Sequence, residues 1–227
     1  MSTSPAGKAC VYLVDDDDDL RQALVYVLEK AGYQVLAFAS PTQFQKVALQ
    51  LGDGALLLDM RMPELSGLEL QAWLKEKGCR IPVIFISGES LPFEIIEALK
   101  QEAIDFLLKP FAMARLFEAV EKALAVGAQQ RALELRALRV QQLWSGLTPR
   151  EREVCHLMTR GFANREIAEV HGSLPATVKL HRSRVLEKMA VESLPALVEL
   201  LDGFDLSAWL LQESSSKKPE AIRSAKD

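Results

Sequence analysis

No run of 18 apolar residues occurs in this 227-residue chain, so the sequence offers no membrane-spanning helix. The opening MSTSPAGK lacks the apolar core of a signal peptide, and the expectation is a cytoplasmic protein that contacts no membrane. Cysteine is scarce. Cys10, Cys79 and Cys155 are odd in number and far apart, with no CxxC and no Cys/His cluster. That excludes a disulfide scaffold and a thiolate metal site, and leaves three reduced thiols. Strong positive charge is also missing. Residues 1–125 carry 12 basic and 18 acidic side chains, residues 126–145 are net +2, residues 146–201 net +1, and the whole chain is −4. Bulk charge therefore gives no argument for nucleic acid, and any such argument must rest on where individual cations stand. Between Ala112 and Trp144 proline is absent and glycine occurs once.

What is present is alternation. Short apolar runs at Cys10–Val14, Gln34–Phe38, Ala55–Leu58, Ile81–Ile86 and Ala103–Leu108 are separated by amphipathic stretches at Leu20–Ala31, Thr42–Leu51, Gly67–Glu76 and Phe93–Gln101. Strand–helix alternation at this spacing predicts a five-stranded parallel sheet with helices on both faces. The proline-free stretch predicts a last helix running into a long helical linker. Its rhythm of Leu116, Val120, Leu124, Leu135, Leu138 and Gln142, broken by Arg131, leaves a coiled coil and a plain amphipathic spacer both open. Past Gly146, Thr148-Pro149-Arg150-Glu151 is a capping box with proline at the first helical position. Helices to about Arg160, over Asn164–Val170, from Pro175 to about Met189 and over Leu194–Leu201 make a small all-α module. The expected division is 9–125, a linker 126–145, a module 146–201, and a tail 202–227 that is partly disordered.

In a parallel α/β sheet, ligands sit beyond the carboxyl ends of the strands. The first run ends in Asp15 to Asp19, the third in Asp59, the fourth in Ser87 and the fifth in Lys109. Converging carboxylates repel one another and call for a hard cation such as Mg²⁺, which keeps waters and pairs with phosphoryl oxygens. A carboxylate can itself attack phosphorus. Singly, each feature has a plain reading: an Asp run as a solvated loop, Lys-Pro as a turn. Asp18 and Asp19 read best as solvated charge near a helix start.

LVDDD at Leu13–Asp17, LLLDMRMPELSG at 56–67, Ile86-Ser87 and LLKPF at 107–111 together resemble a response-regulator receiver domain of flavodoxin-like fold. The resemblance implies Asp59 as phosphoacceptor, and Asp15 and Asp16 as ligands of Mg²⁺ together with Asp59 and the backbone carbonyl of Arg61. It implies Lys109 and Ser87 as partners of the phosphoryl oxygens, Phe106 as an aromatic that turns inward on phosphorylation, and Pro110 as a cis-proline. Ser87 stands where Thr is commoner. Glu89 stands where related sequences often carry His. A phosphatase of the haloacid-dehalogenase kind would place a second acid two residues after the nucleophile. Arg61 is there instead, which argues against an enzyme.

LTPREREVCHLMTRGFANREIAEVHGSLPATVKLHRSRVLEKM resembles the LuxR-type helix-turn-helix, and the whole chain resembles the FixJ branch of the NarL/FixJ regulators. In residues 175–189, Val178, Val185, Leu186 and Met189 can form an apolar face, while Lys179, Arg182, Arg184 and Lys188 against Glu187 give net +3. That helix suits a major groove. By family position Lys179, Leu180 and Ser183 face base edges. Thr177, Arg182 and Arg184 face phosphates, as do Asn164 and Arg165 at the preceding helix start. Leu174 and Ala163 stand at cap positions without a capping oxygen, and a lost cap costs ~1 kcal/mol. The implied partners are a histidine kinase, promoter DNA, RNA polymerase and, after phosphorylation, a second copy of the chain.

Overall fold

The computed structural model describes residues 9–88 and 92–216, which form two compact units divided between Leu133 and Glu134. The first alternates strictly: β1 (Cys10–Val14), α1 (Asp18–Lys30), β2 (Gln34–Phe38), α2 (Pro41–Ala48), β3 (Ala55–Asp59), α3 (Gly67–Glu76), β4 (Val83–Ser87), α4 (Pro92–Lys100), β5 (Asp105–Leu108) and the start of α5 (Met113–Ser145). The strands pair in parallel in the order β2-β1-β3-β4-β5, the doubly wound flavodoxin-like order. The sheet is covered on both faces, so its central strands β3 and β4 are buried at every residue.

Alternate residues along each strand supply two separate cores. Val11, Leu13, Leu57 and Ile84 pack against Leu24 and Leu28 of α1 and Leu116 and Val120 of α5. Tyr12, Leu56, Leu58 and Phe85 pack against Phe44 of α2 and Leu70 and Leu74 of α3. Local chemistry starts the helices. Asp17 caps α1 by accepting from the amides of Asp19 and Leu20. Ser40 caps α2 ahead of Pro41, and Ser66 with Glu69 forms a capping box on α3. The lone glycine of α5 has a packing reason: a Cβ on Gly127 would come within 3.2 Å of the Pro82 ring, where the helix passes the beginning of β4.

The helical linker is present, since α5 runs 33 residues without a break. Its sequence rhythm divides, however. Leu116 and Val120 belong to the first unit's core, whereas Leu135 and Leu138 are exposed. The side chains that α5 buries in the second unit are Val140 and Trp144.

The second unit continues with α6 (Pro149–Thr159), α7 (Asn164–His171), α8 (Pro175–Lys188), α9 (Leu194–Leu201) and α10 (Leu206–Ser216). Val154, Cys155, Ile167, Val178, Val185 and Leu197 form its core. Burial pushes the Cys155 thiol up to about 12, so it is an inert packing group. α10 departs from the sequence reading, which ended the module at Leu201 and treated the rest as tail. Leu206 is buried, and Trp209 and Leu210 pack on the core. The expectation of disorder at the end of the chain falls on residues 217–227, outside the described ones.

Among the described residues of this unit Glu151 is the most buried charge, 2 % exposed. It closes the capping box with Thr148 and accepts from Lys188 Nζ at 2.7 Å. Burial disfavours its charge, but the hydrogen bonds from Lys188 and Thr148 outweigh that cost and hold the carboxyl below its ordinary value of 4.5. A carboxyl lowered in the folded state adds stability above its unfolded value and loses it as pH falls through the folded value. Glu151→Gln is therefore expected to lower the stability of this unit by ~1–3 kcal/mol at neutral pH. The gap should close as the pH is taken below 4.5. Urea unfolding read from Trp144 and Trp209 fluorescence measures it.

Candidate functional site

Parallel pairing brings the carboxyl ends of β1, β3, β4 and β5 to one edge, and with them Asp15, Asp59, Ser87 and Lys109. Asp15 is fully buried, Asp59 is 5 % exposed and Ser87 is 2 % exposed. Lys109 Nζ lies 2.6 Å from Asp59 Oδ1 and 3.2 Å from Asp15 Oδ2. The other oxygen of each carboxylate is also engaged: the Arg61 amide donates to Asp59 Oδ2 at 2.8 Å, and the Asp17 amide to Asp15 Oδ1 at 2.9 Å. The Lys109 amide donates to the Ser87 carbonyl at 2.7 Å, tying the ends of β5 and β4 together. The Lys109–Pro110 peptide is cis, as the motif implied.

Gly67 begins α3 directly behind the pocket. A Cβ there would lie 2.4 Å from the Asp59 carbonyl oxygen, so the close approach requires glycine. Phe106 is half-buried, its ring centroid 6.2 Å from that of Phe85. Glu89 lies outside the described residues.

Two buried carboxylates face one ammonium, so the pocket holds an excess of negative charge. Burial raises the Asp59 pKa above 3.8; Lys109 and the Arg61 amide oppose the rise, and Asp15 adds to it. At Lys109 burial opposes the charge, but the two carboxylates outweigh it and hold the pKa above 10.5, so the group is an ammonium at neutral pH. Asp16 and the Arg61 side chain are exposed, and no three His, Cys, Asp or Glu side chains among the described residues make a ready metal cage. Uncompensated charge on hard oxygens, with solvent alongside, fits a Mg²⁺ ion that keeps part of its water.

In the second unit, α7, the turn at Gly172 and α8 form a helix-turn-helix. Gly172 closes α7 in the left-handed conformation, φ 58°. Neither Ala163 nor Leu174 makes a side-chain cap. Glu166 supplies half a capping box by accepting from the Ala163 amide at 2.6 Å. Val178 and Val185 of α8, and Met189 just past its end, are buried, which turns Lys179, Leu180, Ser183, Arg184 and Thr177 to solvent. Arg165 is exposed and Asn164 half-buried at the start of α7.

Two of the cations counted in α8 are engaged within the domain. Lys188 pairs with Glu151, and Arg182 donates to the Phe162 carbonyl at 3.2 Å. His171 packs against Arg150 and, at 3.5 Å, Glu153, a polar packing role rather than a metal site. Sequence reasoning missed these pairings, and missed Arg136 of α5, which donates to the carbonyls of Glu199 and Asp202 at 2.9 and 3.0 Å and so caps the end of α9.

The family model of the response regulator receiver domain matches residues 11–121, and that of the bacterial regulatory proteins of the luxR family matches residues 145–201. The chain belongs to the NarL/FixJ response regulators. It is 36% identical over 192 residues to the response regulator protein TodT of Pseudomonas putida, covering 85% of each chain. It is 38% identical over 190 residues to the tetrathionate response regulatory protein TtrR of Salmonella typhimurium, covering 84% of this chain and 90% of that one. Among solved structures, the response regulator StyR matches with a TM-score of 0.79 at 38% identity, covering 87% of this chain and 100% of that one. Full-length FixJ from B. japonicum matches at 0.55 and 32% identity, covering 86% and 97%. The protein is thus a transcription regulator with a receiver and a LuxR-type DNA-binding domain, in a family of regulators rather than enzymes.

Proposed function

We propose that this regulator is switched on by transfer of a phosphoryl group from a histidine kinase to Asp59, and that the phosphorylated form binds promoter DNA as a dimer. The carrying observation is the buried Asp59 carboxylate, held by Lys109 beside Asp15 at the ligand-binding edge of the sheet. An Asp59 oxygen attacks phosphorus, and the P–N bond to the kinase's phosphohistidine breaks as the P–O bond forms. Asp15, Asp16, Asp59 and the Arg61 carbonyl would hold Mg²⁺, which when bound offsets the charge on the phosphoryl oxygens. Lys109 supplies a permanent positive charge at the same point. The chain's own chemistry ends with this self-modification and its reversal.

The added oxygens draw the Ser87 hydroxyl toward them, and Phe106 fills the space behind it. Full burial of a phenylalanine is worth ~1.5–3 kcal/mol. Phe106 is already half-buried, so the remaining gain is about half of that, enough for a roughly four- to twelvefold shift between two states. The surface altered is that of α4 and β5, and a second copy docking there pairs two recognition helices for two half-sites. Lys179, Leu180 and Ser183 read bases; Thr177, Arg182, Arg184, Asn164 and Arg165 hold phosphates; RNA polymerase meets the assembled dimer. The setting is the cytoplasm.

Sedimentation tests the switch. Beryllofluoride, a stable phosphoryl mimic, is expected to drive wild type toward dimer. Ser87→Ala should accept the mimic yet dimerise poorly. An unchanged monomer–dimer equilibrium in wild type would contradict dimerisation and favour release of an inhibitory contact between the domains.

A further inference from the structure

At the opposite edge of the receiver sheet from Asp59, where the strands begin, the ends of α3 and α4 and the α5 segment around Gln130 line a cavity of about 510 Å³. Leu74, Ile81 and Val83 give it an apolar wall. Gln71, Gln101 and Gln130 also line it, and the side-chain amide oxygens of all three are buried without a hydrogen-bond partner. Among the described residues these are three of the six side-chain polar atoms left in that condition, so the unmet demand is concentrated in one place.

Gln71 is 3 % exposed, and its amide nitrogen donates to the Gln101 carbonyl at 3.1 Å. A carbonyl oxygen can only accept, so the nitrogen must face it, and the orientation of this amide is fixed. Its oxygen needs a donor that the protein does not provide. Gln101 and Gln130 are half-buried, so rotation of their side chains can present their oxygens to a guest.

The surrounding charges limit the guest. Lys75 and Glu102, both on the lining, pair with each other at 3.1 Å. An ion would find that pair already neutralised, and an anion would in addition meet the fixed acceptor oxygen of Gln71. The volume falls within the usual range for small-molecule sites. We propose that this cavity is a second ligand site of the receiver, and that it takes a small uncharged molecule rich in O–H or N–H donors with one apolar side, of the polyol or alkylurea class. The site shares no residue with the phosphoacceptor pocket, and the proposal stands apart from the phosphorylation reading.

Cys79 provides the test, because it lines the cavity and is partly exposed, whereas Cys10 is partly exposed but outside the lining. The full-length protein is alkylated with iodoacetamide in the presence of myo-inositol, glucose or propylurea, and modification at each cysteine is followed by peptide mass spectrometry. At least one of these probes is expected to slow alkylation of Cys79 several-fold and to leave Cys10 unchanged. Gln71→Leu should remove the protection. Should Gln71→Leu not fold, Gln130→Leu, at a half-buried position on α5, decides the matter by the same loss. A cavity that holds only water would give the same Cys79 rate with and without every probe. That result, equal slowing at Cys10, or protection undiminished in the folded variants would overturn the proposal.

Discussion

Asp59→Asn is expected to take up no phosphoryl group from acetyl phosphate under conditions in which wild type gains one, a mass increase of about 80 Da through carboxylate attack. The amide keeps the shape of the side chain and can still accept from the Arg61 amide, which donates to the native carboxylate at 2.8 Å. What it loses is the nucleophilic oxygen and the charge that Lys109 holds. In wild type, chelation of Mg²⁺ should have the same effect, because the excess negative charge of Asp15 and Asp59 would then repel the incoming phosphoryl group. Intact-mass spectrometry reads both experiments. Full labelling of the Asn variant would remove Asp59 from the role, and labelling undiminished by chelation would remove the metal.

The second large effect is on DNA. Lys179 stands exposed on the outer face of α8 beside Leu180 and Ser183, and Arg184 stands exposed at its flank. Lys179→Ala is expected to cost ~1–3 kcal/mol at one base position and to relax preference there. Arg184→Ala should weaken binding to all sequences and reduce the salt slope by about one unit, as loss of one phosphate contact does. Arg182→Ala should combine two losses, since its guanidinium also holds the Phe162 carbonyl ahead of α7. Binding titrations on a two-half-site operator and on single-base variants, at several salt concentrations, separate these outcomes. Both Lys179→Ala and Arg184→Ala binding every sequence like wild type would show that α8 is not the reading helix.

Much of the receiver fold, and of where it places these side chains, was legible in the sequence because it depends on local order. A strand that runs from Ala55 to Asp59 must deliver Asp59 to the carboxyl edge, and parallel pairing with β1, β4 and β5 then brings Asp15, Ser87 and Lys109 there too. Caps such as Ser40-Pro41 and Thr148-Pro149 act over three residues and were equally readable. The illegible part lies in pairings across long separations that leave no periodic trace. Glu151 meets Lys188 across 37 residues, and Arg136 reaches Glu199 across 63. These contacts change the charge that α8 presents. The net charge of +3 counted along it overstates what faces outward, since Lys188 neutralises a buried carboxylate of α6.

α10 was a different failure. Leu206, Trp209 and Leu210 have the i, i+3, i+4 spacing of a helix that buries one face. The Ser/Lys-rich end that follows masked it. α5 shows the converse, a single rhythm in sequence whose first half is core and whose Leu135 and Leu138 are exposed.

The central claim is that the state of Asp59 controls DNA binding more than a hundred residues further along the chain. It is tested most directly by titrating an operator isolated by footprinting with wild type and Asp59→Asn, each with and without beryllofluoride. Wild type is expected to gain at least roughly tenfold in affinity, about 1.4 kcal/mol, when the mimic is bound, and Asp59→Asn to gain nothing. Equal affinity of wild type in the two states, or an equal gain in the Asn variant, would contradict the account.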